Sequence, residues 1–168
     1  MSAIILIYVA VRFRFKFGLA AVIALLHDTI ISIGLVSLLK IEMDITVVAA
    51  ILTILGYSIN DTIVVFDRIR ENTEKISTNK DEYVMIVNRS INQSLTRTII
   101  TSLTTLLVVV VLLIWGGESL YNFYLILFFG IIIGTYSSIF IASPVLVIWE
   151  HFVEKREKKS KKKKKVTA

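Results

Sequence analysis

Four stretches of this sequence are each long and apolar enough to cross a lipid bilayer as a single helix. A spanning helix needs about 20 predominantly apolar residues, and that condition is met by residues 17–39, 45–66, 97–115 and 123–149. Only 19% of the residues are charged, against about 25% in soluble domains. The sequence therefore predicts an all-α integral membrane protein and leaves no room for a sizeable soluble core.

A shorter apolar run stands at the start of the chain. Residues 3–10 would extend only about 12 Å as a helix, because each residue rises about 1.5 Å. We interpret this run as part of a helix over residues 3–13 whose beginning is missing. We therefore expect a bundle of about five helices within residues 1–150, the first one truncated, in a chain that is a fragment or a truncated gene product.

The connections between the apolar stretches alternate in charge. Arginine and lysine residues collect in the first and third connections and in the C-terminal tail, whereas residues 40–44 and 116–122 carry few. By the positive-inside rule, we expect the basic connections and the C-terminus to be cytoplasmic. In the third connection, Val84, Val87 and Ile91 recur at helical spacing, which predicts an amphipathic helix over residues 81–94 on the membrane surface.

The C-terminal tail, residues 151–168, is predicted to be a disordered cytoplasmic arm. Nine Lys or Arg residues and two Glu residues lie between Glu154 and Lys165, so this stretch alone exceeds the net charge of +6 of the whole chain. Such an arm is attracted to anionic lipid by about 1 kcal/mol per basic residue near the surface. The same charges could attract RNA, but no aromatic side chain interleaves them, so no specific nucleic-acid partner is indicated.

A carboxylate interrupts the second long stretch. Asp61 shares one helical face with a polar stripe formed by Thr53, Gly56, Tyr57 and Asn60, and this stripe should face protein or water. Burying an Asp at the centre of a membrane helix costs about 2.5–3.5 kcal/mol, so a proton, a cation or a partner must neutralise it. Asp61 is thus a candidate transport group, and the alternative is a structural, hydrogen-bonded carboxylate.

The candidate partner of Asp61 is Arg97, at the start of the third stretch. Thr101, Thr104 and Thr105 continue its helical face, and both charged groups lie toward the same end of their helices. The alternative is that Arg97 extends to the membrane surface along its apolar stem.

His27 and Asp28 interrupt the first long stretch near its middle. Adjacent residues point about 100° apart on a helix, whereas a metal pair would need a spacing of four residues, so we do not expect a metal site. His27 is interpreted as a packing residue, and for Asp28 a structural role and a transport role both stay open.

The last stretch carries small residues on one face, namely Gly130, Gly134, Ser137 and Ser138. A GxxxG spacing permits close helix approach, so we interpret this face as a packing surface. The sequence has no phosphate-binding glycine loop, no nucleophile–base pair and no metal-ligand cluster. We therefore do not expect an enzyme or a cofactor.

Five motifs in fixed order resemble the SecF members of the SecD/SecF family of protein-export membrane proteins, within the RND superfamily. They cover nearly the whole chain except the tail and read YVAVRFRF, ALLHDTIISIGL, GYSINDTIVVFDRIREN, SLTRTIITSLTTL and GIIIGTYSSIFIASPV. The resemblance implies an RND-type helix bundle, one half of a twelve-helix unit completed by SecD, in the bacterial cytoplasmic (inner) membrane. It also implies that the first helix and an extracytoplasmic domain are missing here.

The same resemblance implies a function. The SecD–SecF unit uses the proton-motive force to help move unfolded polypeptides out of the SecYEG channel. Asp61 and Arg97 match the proton-path positions of the family, Asp28 falls in its His-Asp motif, and Tyr57 and Asn60 share the stripe of Asp61. Two alternatives stay open: half of another RND-type transporter, for lipid or drug, and a scaffold that stabilises the translocon without transport.

Overall fold

The computed structural model describes residues 15–74, 80–150 and 152. Its helices are α1 (Phe15–Leu38), α2 (Ile45–Glu74), α3 (Lys80–Trp115) and α4 (Tyr121–Ser137), with a short 3₁₀ turn at Glu118–Leu120. A π-helical turn, Ser138–Ala142, follows α4, and residues 143–150 continue as helix. The predicted helix over residues 3–13 and the predicted tail, apart from Phe152, lie outside the described residues.

The all-α membrane fold is confirmed. Four helical segments of the described chain are long and apolar enough to cross a membrane, and they are Phe17–Leu38, Ile45–Thr73, Tyr83–Trp115 and Glu118–Glu150. The helix predicted over residues 45–66 continues to Glu74, because the charged residues after Phe66 do not disfavour helix.

Residues 81–94, predicted to form an amphipathic helix on the membrane surface, are helical but do not form a helix of their own. Residues 80–115 form one helix of 36 residues. The stretch contains neither Gly nor Pro, the two residues that most disfavour a helix interior. Its polar hydroxyls are also satisfied within the helix, since Ser90 donates to the carbonyl of Ile86 and Ser94 to that of Ser90.

Two apolar clusters fill the bundle. One lies toward the end where α2 stops at Glu74 and α3 begins at Lys80, which we call the basic end, and it includes Phe17, Phe66 and Leu146. The other lies toward the opposite end and contains Val36, Val47, Ile54, Tyr124 and Ile126, among others. Between the two clusters, the buried positions are mainly polar.

Glycines of α4 bring this helix against α2. A Cβ atom at Gly130 would lie 2.1 Å from Cδ1 of Ile54, and one at Gly134 would lie 3.0 Å from Cβ of Ser58. Both distances are shorter than van der Waals contact. The two backbones can therefore approach this closely only because both α4 residues lack a side chain.

We predict that Gly130→Ala destabilises the protein. The added methyl group would displace the buried Ile54 side chain, and such overpacking costs about 1–3 kcal/mol. Thermal unfolding in detergent measures the effect. Gly34→Ala is the matched control, because nothing lies within 4 Å of a Cβ at that helical glycine. An equal melting temperature for the two variants would contradict the packing of α4 on α2.

The start of α2 is capped by Asp44. The backbone N–H of Val47 donates to Asp44 Oδ1 over 2.8 Å, and the Thr46 hydroxyl donates to the same oxygen over 2.7 Å. The Val47 hydrogen bond, followed by that of Thr46, lowers the pKa of Asp44 below its usual value of 3.8. This is the arrangement expected at a helix N-cap.

We expect Asp44→Ala to lower the melting temperature at neutral pH. A pKa lowered by folding means that the charged cap stabilises the fold above pH 3.8 and loses that contribution as the pH falls below it. The difference in melting temperature between wild type and variant should therefore become smaller in acid. Thermal unfolding from pH 7 to pH 3 measures it, with the exposed Glu42→Ala as control. A gap that widens in acid would contradict the assignment.

Candidate functional site

A layer of buried polar side chains crosses the bundle between the two apolar clusters. All four helices contribute to it, and the layer includes Asp28, Ser32, Ser58, Asp61, Thr62, Thr98, Ser102, Ser137 and Ser138. Buried polar groups are costly unless they are hydrogen-bonded. Most of these groups meet that condition by bonding to one another across helices.

Asp61 lies in this layer and is only 8% exposed. The Thr98 hydroxyl of α3 donates to its Oδ1 over 2.7 Å, and the Ser138 hydroxyl donates to its Oδ2 over 2.5 Å. Each carboxylate oxygen thus accepts from a different helix, and Asp61 joins α2, α3 and the π turn.

The π turn places Ser138 opposite Asp61. Ser138 is its first residue, the Ser143 hydroxyl donates to the Ser138 carbonyl over 3.4 Å, and the following residue, Pro144, has no backbone N–H to donate. π-helical turns of this kind are frequent at functional sites.

Ser138 can serve both protonation states of Asp61. Its hydroxyl has one proton and two acceptors within reach, namely Asp61 Oδ2 and the Thr135 carbonyl at 2.9 Å. When Asp61 is charged, Ser138 can donate to it. When Asp61 is protonated, its own O–H can donate to Ser138, which then donates to Thr135.

A second carboxylate, Asp28, is fully buried. The Ser58 hydroxyl donates to its Oδ2 over 2.5 Å, and Nδ1 of His27 lies 3.0 Å from its Oδ1. Ser58 and Asp61 are one turn apart on α2. The two carboxylates are therefore linked by a single turn of a rigid helix.

Tyr57 begins a chain of hydroxyl groups in the same layer. Its O–H donates to Ser102 over 3.1 Å, Ser102 and Thr135 are 2.7 Å apart, and Thr135 donates to the Ile131 carbonyl. Because the Thr135 proton is used there, Ser102 is the donor to Thr135. Thr135, the last hydroxyl of this series, is one helical turn before Ser138.

The expected ion pair between Asp61 and Arg97 is not present. Arg97 is exposed on the outer side of α3, and in the described part of the chain Asp61 is held by Thr98 and Ser138. The reason is helical rotation, since successive residues point about 100° apart. With Thr98 facing inward, Arg97 faces away from the bundle.

The residues of the predicted polar stripe of α2 differ in burial. Asp61 is buried and Tyr57 partly buried, whereas Thr53, Gly56 and Asn60 are exposed on the outer surface of this chain. Asn60 therefore lies beside the site and does not line it.

The four packing residues of α4 and the π turn have different surroundings. Gly130 and Gly134 contact α2, whereas Ser138 binds a carboxylate. The sequence interpretation assigned Ser138 to packing alone and did not identify Ser58, Thr98, Ser102 or Thr135. The available signal was weak: Ser58 stands one turn before Asp61, and Thr98 follows Arg97.

In the described residues, no group of three His, Cys, Asp or Glu side chains could hold a metal ion.

We predict that Ser138→Ala destabilises the protein by about 1–3 kcal/mol, because it leaves one oxygen of a buried carboxylate without a donor. Thermal unfolding in detergent measures the loss. Ser119→Ala is the control, since Ser119 is exposed in the 3₁₀ turn. If the two variants unfold at the same temperature, Ser138 does not hold Asp61.

Comparison with known proteins gives consistent results for sequence and fold. The family model described as protein export membrane protein SecD/SecF, C-terminal, matches residues 1–152. The protein translocase subunit SecF of Rickettsia bellii is 49% identical over 147 residues, covering 88% of this chain and 48% of that protein. SecF of Rickettsia typhi is 48% identical over 145 residues, covering 86% of this chain and 46% of that protein.

Two solved structures share the fold. A crystal structure of SecDF in a super-membrane-facing form superposes with a TM-score of 0.87 at 49% identity, covering 94% of this chain and 21% of that one. A structure of SecDF from Thermus thermophilus, a translocon-associated membrane protein, gives 0.82 at 52% identity, covering 89% and 20%. This chain spans about half the length of its SecF relatives. The chain belongs to the SecD/SecF family of protein export membrane proteins and matches the C-terminal part of its members.

Proposed function

We propose that this chain is the membrane part of a SecF-like subunit of the Sec protein translocase. Together with SecD, it would use the proton-motive force to promote export of unfolded polypeptides through the SecYEG translocon. The proposal rests on one observation above all: a buried carboxylate, Asp61, is held only by hydroxyl groups from two other helical segments among the described residues. Family membership supports the choice of export as the process.

Asp61 is the proposed proton-binding group. A carboxylate without a cationic neighbour leaves an uncompensated charge in the membrane when it is ionised. Protonation at Oδ2 would also reverse the direction of the hydrogen bond between Asp61 and Ser138. Because Thr98 and Ser138 belong to different helices, each change of protonation alters contacts between α2, α3 and the π turn, which is how proton binding could move them.

A groove lies beside the site on the side of the basic end. It has a volume of about 490 Å³, runs between α3 and the segment after α4, and is lined mainly by apolar side chains, among them Leu95, Ile139 and Val147. Leu95 is one turn from Thr98, and Ile139 is adjacent to Ser138, but Asp61, Thr98 and Ser138 do not line the groove. A proton route between this groove and Asp61 is therefore part of the proposal.

The remaining members of the proposed proton path have less direct roles. Asp28 is bound by Ser58, which is one turn from Asp61 on α2, and Tyr57 leads the neighbouring hydroxyl chain. Arg97 and Asn60 are exposed on the surface of this chain near Asp61, where a SecD partner could bring them into the path. We propose that the chain acts without an enzymatic step or a resident cofactor, the proton gradient being the energy source.

The proposed setting is the bacterial inner membrane, which the chain crosses several times. The charge pattern of the sequence supports a cytoplasmic position for the basic end and for the C-terminus. The basic tail is proposed to contact anionic lipid headgroups.

Asp61→Asn is expected to abolish the proton-dependent part of export. The amide keeps the size of the side chain but cannot exchange a proton. The variant is made in the complete protein assembled with SecD, and both proton flux and polypeptide translocation are measured in membrane vesicles.

Asp67→Asn is the matched control, because Asp67 is an exposed carboxylate on the same helix. Co-purification with SecD checks that both variants still assemble. Unchanged proton flux and export in an assembled Asp61→Asn variant would overturn the proposal.

A further inference from the structure

Two buried hydroxyl groups of the polar layer have no hydrogen-bond partner among the residues that the structure describes. They belong to Ser32 and Ser137, which are 1% and 0% exposed. Other helical hydroxyls donate to the carbonyl four residues earlier, as do those of Thr29, Thr53, Thr73, Ser90, Ser94, Thr104, Thr105 and Thr135. The Ser32 and Ser137 hydroxyls depart from this pattern, because they make no hydrogen bond to their own helix backbone.

Ser32 lies directly beside Asp28. It is four residues later on α1, so both side chains lie on one face of the helix. Helical side chains lean toward the N-terminus and cover the preceding turn. The Ser32 hydroxyl therefore leans over the turn that carries the buried Asp28 carboxylate.

Ser137 lies on α4, the helix that packs against Ser58. It follows Gly134 by one turn, and helical side chains lean back over the preceding turn. Gly134 itself lies against Ser58, since a Cβ there would be 3.4 Å from the Ser58 hydroxyl oxygen, and Ser58 donates to Asp28. One unpartnered hydroxyl is thus one turn from Asp28 on α1, and the other is one turn from the α4 residue that packs against Ser58.

The Asp28 carboxylate has capacity for further donors. A carboxylate offers about four lone-pair positions, and here one oxygen accepts from Ser58 while the other faces His27. Buried polar groups that lack a protein partner are commonly satisfied by ordered water, which typically makes about three hydrogen bonds. Ser32 and Ser137 provide groups of that kind, each one helical turn from a residue at the Asp28–Ser58 contact.

We propose that Asp28 is the centre of an internal water site, in which bound water bridges the carboxylate to Ser32 and Ser137. Such water would give a fully buried Asp28 a partner with which to exchange a proton. The use of that exchange in transport rests on the proposed function, whereas the presence of the water does not.

Infrared difference spectroscopy with oxygen-18 water tests the site directly. The full chain is purified with SecD in lipid nanodiscs, and acid-minus-neutral spectra are compared in ordinary and oxygen-18 water. We expect O–H stretching bands that shift with the isotope in wild type and that are lost in Ser32→Ala and Ser137→Ala.

The matched control is Ser94→Ala, because Ser94 is a buried serine whose hydroxyl bonds to its own helix. It should keep the isotope-sensitive bands. The proposal is overturned if wild type shows no such bands, or if both Ser32→Ala and Ser137→Ala retain them. Bands that appear only with sodium, and not with N-methylglucamine, would overturn it in favour of a bound cation.

The direction of the change in melting temperature is an independent test. If the two hydroxyls were truly without partners, their removal would raise the melting temperature, because a buried unsatisfied group would be lost. If they bind water held by Asp28, removal should lower the melting temperature more than Ser94→Ala does. A higher melting temperature for both variants would overturn the proposal. Neither measurement reads export. Variants that lose the bands but keep proton-dependent export would leave the water site standing and overturn only its use in transport.

Discussion

The hydrogen bonds from Thr98 and Ser138 to Asp61 are the interaction on which the rest of the structure depends. A carboxylate inside an apolar bundle is tolerated only if its oxygens find donors, and here the donors come from two other helical segments. Apolar clusters on both sides of the polar layer restrict access to it. The helices cannot be rearranged in this layer without breaking a bond to a buried charge or to a buried proton.

The backbone makes this layer possible at two places. Gly134 lets α4 come close enough to α2 for Ser58 to lie between Gly134 and Asp28. One turn after Gly134, the π turn begins at Ser138, whose hydroxyl reaches Asp61. Small residues that the sequence analysis interpreted as packing residues therefore also position hydroxyl groups. This is possible because close helix approach and short polar side chains occur together.

The membrane spans and the two carboxylates could be predicted from the sequence, whereas the partners of the carboxylates could not. Bilayer thickness determines the length of an apolar run, and an Asp within such a run is visible at once. A serine or threonine hydroxyl usually bonds to its own helix, as in Thr29, so its sequence position does not reveal a partner. The predicted Asp61–Arg97 pair was wrong by one residue, because Thr98, and not Arg97, contacts Asp61. Only the packing of α3 determines which of these two neighbours faces inward.

The spacing of Ser58 and Asp61 on α2 has a mechanical consequence. Ser58, which holds Asp28, and Asp61 stand three residues apart, about 4.5 Å along one helix, and the α2 backbone between them is continuous. A movement of α2 that changes the Asp61–Ser138 distance therefore also changes the Ser58–Asp28 distance. Asp28 belongs to α1, whereas Thr98 and Ser138 belong to α3 and the π turn. On the proposed function, protonation at either carboxylate would thus act on all four described helices through the position of α2, without any charged residue linking the two sites.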